Sequence, residues 1–538
     1  TPAHHPTPGG AAARATAGIG VFHLLRLLLG LAFKPLVANR LGLGFSADVL
    51  TVATDIVTSV WRFWEKVVNP TVLPCFIGAM KTDGEERAWR FLSTALWLTV
   101  LSLLIVSPLV YFLMPQIVWL YSQKMPLEQR ELTVAIARLM LCGLSFLGIS
   151  SLTYVILNGY KRFFSAALGD ALWKMGALLG GGVAIAQQLD KVASIYVIAW
   201  GFVLGSLFKL APHVIALRGK WHLLRPRIDW SDPLVKKMCW LAVPLLVGIV
   251  VSEGRDVFIK RLADSPLITV EGSRTALSFS RTIGDAFLQI FPYALSIGIF
   301  PYLADLAHNK DKQPLTDTLV GALRVCFFAF APITMMLIAL CFPLLRAVWE
   351  SGQFSRADTM VLALPFIFYA LGLIGFASEM MLNQTFYAMT NVWAPTAVGL
   401  FTTVLWCVGA HWGVALGGGL AALAAAESLA KSFKCLVLWF LLKRNLGSVR
   451  AKENLLFAVK VLGASAIAAA VAYFLGDFLS PKGEILGKMG KIKILLSVAF
   501  SGMCGMGIFF FLARLLHVEE TGAIVALTGK IRQRFARA

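Results

Sequence analysis

The chain has 538 residues, 58% of them hydrophobic and only 14% charged, with a mean hydropathy of +0.74 and a formal net charge of +20. That balance excludes an ordinary soluble globular domain and a disordered chain, and it places the protein among polytopic membrane proteins. Nor does the positive charge call for a nucleic-acid partner: the Lys and Arg residues collect in alternate short loops between apolar stretches, which is a topology signal.

In chain order, residues 1–18 are rich in Pro, Gly, Ala and His and read as a flexible tail. About fourteen apolar stretches long enough to cross a bilayer follow, at 17–39, 46–78, 90–114, 131–158, 163–187, 192–216, 234–260, 273–303, 318–345, 358–388, 393–410, 413–442, 454–476 and 491–515. Alternating strand patterns are absent, and unpaired backbone amides in hydrocarbon leave only helices or closed barrels, so the expected fold is an all-α polytopic membrane protein. With the N-terminus inside, the clusters Lys81/Arg87/Arg90, Lys161/Arg162, Arg218–Lys237, Lys443–Lys452 and the tail Lys530–Arg537 fall on the cytoplasmic side, so both termini are expected in the cytoplasm. Lys482, Lys488, Lys491 and Lys493, before the last span, run against that pattern.

An internal repeat divides the chain. Arg62 and Arg281 stand 219 residues apart, Arg40-Leu41 and Arg261-Leu262 221 apart, and Asn158 and Asn383, each preceded by Leu, 225 apart. Two six-helix lobes are expected, 19–218 and 233–444, joined by a cytoplasmic linker at 219–232, with two extra helices and a basic cytoplasmic tail at 445–538. In transporters built from repeats the substrate site lies near the midplane where the lobes meet, and that is the expectation here.

Charges inside spans mark where function resides, because each one facing lipid costs about 2.5 kcal/mol or more. Span one places His23, Arg26 and Lys34 on one helical face, and span two places Asp48, Asp55, Arg62 and Asn69 seven residues apart, with Glu65 and Lys66 alongside. Span seven carries Glu253, Arg255 and Asp256; span eight Arg281, Asp285 and Gln289; span ten Glu379, Asn383 and Tyr387. Arg62–Glu65, Arg281–Asp285 and Asp170–Lys174 are spaced to pair along a helix, so one reading is that they only fix packing. The other is that cations from spans one, two and eight converge on an anionic head group such as a diphosphate, since Arg presents a planar fork and Lys a point charge. The nearby carboxylates leave a cationic cargo open.

No nucleotide-binding loop, HExxH or GxSxG motif is present, and no enzyme activity is expected. All eight cysteines sit in or beside apolar segments without CxxC spacing and read as small core residues, and His4-His5 alone makes no metal site.

In ordered motifs the chain resembles the MurJ/MviN family of lipid II flippases, within the multidrug/oligosaccharidyl-lipid/polysaccharide exporter superfamily. The motifs are Arg40-Leu41-Gly42 with Asp48; Arg62…Glu65…Pro74; Arg138 leading to Ile156–Phe163; Ser280-Arg281 leading to Phe300-Pro301; Gly352-Gln353-Phe354 with Asp358; and Phe386-Tyr387-Ala388 with Pro395. The resemblance implies fourteen helices, a cationic central cavity, and a groove from the last two helices for the polyprenyl tail. By position it assigns the substrate-binding arginines to Arg26, Arg62 and Arg281, with Lys34 in place of another arginine, and Asp48 and Glu65 beside them. It implies a flippase moving a polyprenyl-pyrophosphate-linked glycan, foremost lipid II, across the inner membrane by alternating access for cell-wall synthesis, with cell-wall synthesis proteins as possible partners.

No cofactor is expected. Coupling to Na+ or H+ would fall on Glu253, Asp256, Glu379 and Asn383, although span eleven offers only Thr402 and Thr403 where family members that bind sodium carry Asn or Asp. The competing functions are a drug/cation antiporter of the same superfamily and a transport-inactive membrane scaffold.

Overall fold

The structure is a computed structural model that describes residue 25 and residues 28–521, apart from 123–124, 161, 227, 308–309, 390 and 481–486. Long apolar runs become helices, α1 (28–41), α2 (Phe45–Thr82), α3 (Glu85–Tyr121), α4 (Leu127–Gly159), α5 (Phe163–Ala186), α6 (Lys191–Ala216), α7 (Pro233–Ala263) and α8 (Ser273–Ala307). They continue as α9 (Gln313–Ala339), α10 (Cys341–Trp349), α11 (Arg356–Ala388), α12 (Trp393–Ala415), α13 (Gly419–Lys443), α14 (Ala451–Leu479) and α15 (Gly487–Leu515). The fold is all-α, as the sequence predicts; extended pairing among the described residues is limited to the bridge Ser351–Phe354.

Among the described residues, nine helices are long and apolar enough to cross a membrane: α3, α4, α6, α7, α9, α11, α12, α14 and α15. Their large apolar side chains face outward, as with Phe112 at 72% exposure on α3, Trp393 at 84% on α12 and Phe478 at 84% on α14, which suits hydrocarbon rather than water. The helices α2, α7, α8, α11 and α13 carry the charges of the candidate site.

Predicted span nine is broken in two. Pro343 has no N–H to donate to the carbonyl of Ala339, and its ring crowds that carbonyl, so α9 stops and α10 starts one residue later. The Gly352-Gln353-Phe354…Asp358 motif also has a structural explanation. Gly352 takes φ +59° in the turn before α11, and Ser355 and Asp358 form a reciprocal capping box at the α11 N-terminus.

The chain forms two compact units, Thr1–Pro266 with Glu271–Thr275, and Leu267–Val270 with Ala276–Ala538. In the first unit α7 packs on α2 and α3. The linker is strapped down before α7 starts. Arg87 donates to both oxygens of Asp232 at 2.6 and 2.7 Å, Asp232 caps α7 through the Leu234 amide at 2.9 Å, and the Arg225 amide donates to Ser93 at 3.1 Å. In the second unit α14 and α15 pack with α9 through Phe328, Phe457, Val461, Ala468 and Phe509.

Close helix contacts come from small residues. In the first unit, a Cβ on Gly176 would lie 2.4 Å from the Gly205 Cα, so α5 and α6 approach backbone to backbone. In the second unit, a Cβ on Gly372 would lie 2.5 Å from Ser428 Oγ, which brings α13 tight against α11.

Candidate functional site

In the first unit, the polar stripe of α2 meets the charged stretch of α7. Arg62 donates through Nε to Glu253 Oε1 at 2.7 Å and through Nη2 to Glu253 Oε2 at 2.8 Å, and Nη2 also donates to Ser59 Oγ at 2.6 Å. Its carboxylate is therefore Glu253, 191 residues away, and not Glu65, which lies exposed one turn along α2. Lys66 stands 3.9 Å from the same Glu253. Two and seven residues further along α7, Arg255 pairs with its neighbour Asp256 at 2.6 Å and Lys260 pairs with Asp55 at 3.0 Å. These side chains are about a quarter to a third exposed, whereas Glu253 keeps 10% exposure.

Asp48 sits apart from this cluster. It is 2% exposed and accepts from the Thr275 amide at 3.0 Å and the Thr275 hydroxyl at 2.7 Å. The adjoining turn needs Gly272, which takes φ +70° and whose Cβ would lie 2.4 Å from the Gly44 amide nitrogen. Asp48 thus organises the start of α2. Lys34 on α1 is half-buried, and Arg26 lies outside the described residues.

In the second unit, Arg281 on α8 occupies the place that repeat spacing gives Arg62. Its Nη1 donates to both oxygens of Glu427 on α13, at 2.7 and 2.9 Å, and its Nε donates to Asp285 at 3.1 and 3.2 Å. Glu427 is 4% exposed while Arg281 remains 40% exposed, so the guanidinium is held from behind and open in front. The α8 backbone is pinned by Ser280, which donates to the Leu362 carbonyl at 3.1 Å, and by Phe279 stacked on Trp349 at 4.3 Å.

A second centre in this unit surrounds Glu379 on α11. Lys434 donates to Oε1 at 2.6 Å, Lys431 donates to Oε2 at 3.0 Å, and Asn383 reaches Oε1 at 3.5 Å. Two ammonium groups around one carboxylate leave this patch cationic. Glu427, Lys431 and Lys434 escape a reading that follows only spans one, two, seven, eight and ten, although the i,i+4 spacing of Glu427 and Lys431 in span twelve is a visible polar stripe. Their small neighbours Ser428 and Ser432, packed on Gly372 and Gly375, let α13 come close enough for the contacts.

Also in the second unit, α9, α11, α13 and α14 enclose an open apolar groove of about 880 Å³, walled by Val320, Phe327, Leu382, Trp439, Leu455 and Phe457, with Arg324 and Lys443 among its walls. Among the described residues no group of three or more His, Cys, Asp or Glu converges as a metal-binding set.

Residues 37–514 match the family model described as lipid II flippase MurJ. The chain belongs to the MurJ family. A probable lipid II flippase MurJ of Rhizobium tropici is 23% identical over 507 residues, covering 92% of this chain and 93% of the relative. The lipid II flippase MurJ of Burkholderia cenocepacia is 22% identical over 72% of this chain and 75% of the relative. Among solved structures, a lipid II flippase MurJ in an inward closed conformation superposes with a TM-score of 0.69 at 17% identity, covering 93% of this chain and 99% of that one. A MATE-family multidrug resistance transporter in an inward-facing conformation superposes with a TM-score of 0.66 at 12% identity, covering 79% and 98%. The MurJ fold is therefore shared with exporters of the wider superfamily, and within it the cation-bearing helices α2, α8 and α13 are the features to interpret.

Proposed function

We propose that this chain is a flippase that moves a polyprenyl-pyrophosphate-linked glycan, foremost lipid II, from the cytoplasmic to the outer leaflet of the inner membrane by alternating access, with both termini in the cytoplasm. The observation that carries the reading is that Arg62 and Arg281, at repeat-related positions on membrane helices, each hold a carboxylate through two N–H···O contacts. A carboxylate presents two oxygens in much the geometry that a phosphate does, so the Nε/Nη2 fork of Arg62 is already ordered for a phosphate oxygen pair, and Arg281 Nη1 is held facing two oxygens. Glu253 and Glu427 then act as internal counter-ions to the two guanidinium groups when no cargo is bound, and at each position a phosphate oxygen pair takes the place of the glutamate. Lys34 on α1 adds cationic attraction, and Arg26 is expected from the sequence to do the same. A site that bound cargo equally in all states would give no directed movement, so the exchange of carboxylate for phosphate must change with conformation.

The groove beside α14 supports the same reading, because an apolar trough with Arg324 and Lys443 in its walls suits a polyprenyl tail next to an anionic head. Glu379, held between Lys431 and Lys434, favours an anionic over a cationic cargo at that patch. The test is replacement of the native flippase in a depleted cell. Rescue by the parent chain that is lost with Arg281→Ala supports the assignment. Normal insertion without rescue by the parent chain counts against lipid II, and rescue undiminished by Arg281→Ala removes the site.

A further inference from the structure

Inside the first unit, away from the Arg62–Glu253 pair, lies a second buried charged cluster that cargo binding does not use. Lys209 on α6 is 3% exposed and its ammonium lies 2.7 Å from Asp170 Oδ1 on α5. The same ammonium lies 4.6 Å from the ring centre of Trp61 on α2 and 5.4 Å from that of Trp173 on α5, and the two indoles pack edge to face at 5.0 Å. One turn along α6, His213 is fully buried, with Nδ1 2.9 Å from the Thr153 hydroxyl and Nε2 3.4 Å from the Ala166 carbonyl. The titratable and charged groups around Asp170 are thus Lys209 and His213 on α6, Tyr154 beside His213 on α4, and Lys174 on α5 itself, whose ammonium lies 4.2 Å from the Trp173 ring centre; α2 contributes the uncharged Trp61.

The two partners are not equivalent. Two aromatic faces stabilise the Lys209 charge whatever the state of Asp170, whereas Asp170 keeps 20% exposure and is the member a proton can reach. Adding a proton to Asp170 breaks the ion pair and leaves Lys209 held by the indoles. Trp61 immediately precedes Arg62, so a shift of the ammonium against Trp61 is felt at the next residue of α2, which carries the fork. Trp61 is itself anchored to α4 by its indole N–H, which donates to Ser151 at 2.9 Å. The contact between α5 and α6 is backbone-close, since a Cβ on Gly169 would lie 2.6 Å from His213 Nε2 and one on Gly205 2.5 Å from the Trp173 carbonyl oxygen. So tight an interface transmits small changes instead of absorbing them.

We infer that Asp170 is a proton-binding site that couples cargo movement to the proton gradient, with Lys209 as its resident counter-ion and Trp61 as the link to Arg62. A proton enters from the acidic side onto the Asp170 carboxylate, the Asp170–Lys209 contact opens, and deprotonation to the alkaline side restores it. The inference rests on the flippase reading for its cargo, but the proton site is testable without cargo.

Two measurements on the full-length protein decide it. Difference infrared spectra of the purified protein between acidic and alkaline pH should show a carboxylic-acid band that disappears in Asp170→Asn. In proteoliposomes containing a fluorescent polyprenyl-diphosphate glycan, a one-unit pH gradient should change the wild-type rate by up to about tenfold per coupled proton, and in Asp170→Asn the ratio of rates with and without the gradient should fall to one. Because Asp170→Asn leaves Lys209 without its carboxylate, Asp170→Asn/Lys209→Met, which removes both charges, serves as the folded control and should be equally insensitive to the gradient. An unchanged infrared band in Asp170→Asn, or a full gradient response in either variant, overturns the inference. If the wild type moves no such glycan, the flippase reading fails, while the infrared titration still decides whether Asp170 binds the proton.

Discussion

Arg62 and Arg281 stand 219 residues apart in the sequence, and each holds both oxygens of a nearly buried glutamate, Arg62 through Nε and Nη2 and Arg281 through Nη1 alone, yet their surroundings differ. Arg62 is 27% exposed, donates also to Ser59, and shares Glu253 with Lys66 at 3.9 Å. Arg281 is 40% exposed and carries two carboxylates of its own, Glu427 and Asp285. In the first unit one carboxylate therefore has two cations near it, and in the second one cation has two carboxylates. Both positions hold a paired guanidinium with the local balance of charge reversed, so they should respond differently when the guanidinium is removed.

The largest expected effect is at Arg281. Arg281→Ala strips Glu427 of its partner at 4% exposure, and removing one member of a buried pair costs on the order of 3–5 kcal/mol. Thermal unfolding in detergent should show that loss, rescue of a flippase-depleted cell should vanish, and Arg281→Ala/Glu427→Ala should recover most of the stability without recovering rescue. If the double variant is as unstable as the single one, the cost does not lie in the orphaned glutamate. Arg62→Ala should cost less, about 1–3 kcal/mol, because Lys66 remains beside Glu253. Equal destabilisation at the two sites would erase the contrast.

The smallest effect belongs to a pair outside the spans. The Arg87 guanidinium holds the Asp232 carboxyl below its ordinary value of 3.8. A lowered carboxylate pKa contributes stability above 3.8 that is lost as pH falls through the still lower folded value. With Arg87 about a quarter exposed, the contribution is about 1 kcal/mol or less. Asp232→Asn should flatten the acid limb of the stability profile below about pH 4 without altering rescue, and a profile unchanged from wild type would show that the strap is not held by this charge.

Much of this architecture is legible in the sequence because hydrophobic runs of helical length have few alternatives in a bilayer, and because a charge placed in such a run is conspicuous. Arg62, Arg281 and Glu379 stand out for that reason. Their partners do not, since Glu253 and Glu427 lie 191 and 146 residues away and only tertiary packing brings them in. Pairing by proximity along the helix correctly links Arg281 to Asp285 and misassigns Arg62 to Glu65. The linker's contacts are hidden for a related reason: Arg87–Asp232 and the bonds to Ser93 and Thr94 that tie it to α3 join residues more than a hundred positions apart. The break at Leu340 was readable from Pro343.

The central claim is that an arginine fork, rather than positive charge alone, grips a diphosphate. The most direct measurement is equilibrium binding of polyprenyl diphosphate and polyprenyl monophosphate to the purified wild-type protein and to Arg281→Lys, which keeps the charge and loses the fork. The account predicts that the wild type prefers the diphosphate and that Arg281→Lys, still helical and monodisperse, loses most of that preference. An undiminished preference in Arg281→Lys would contradict it.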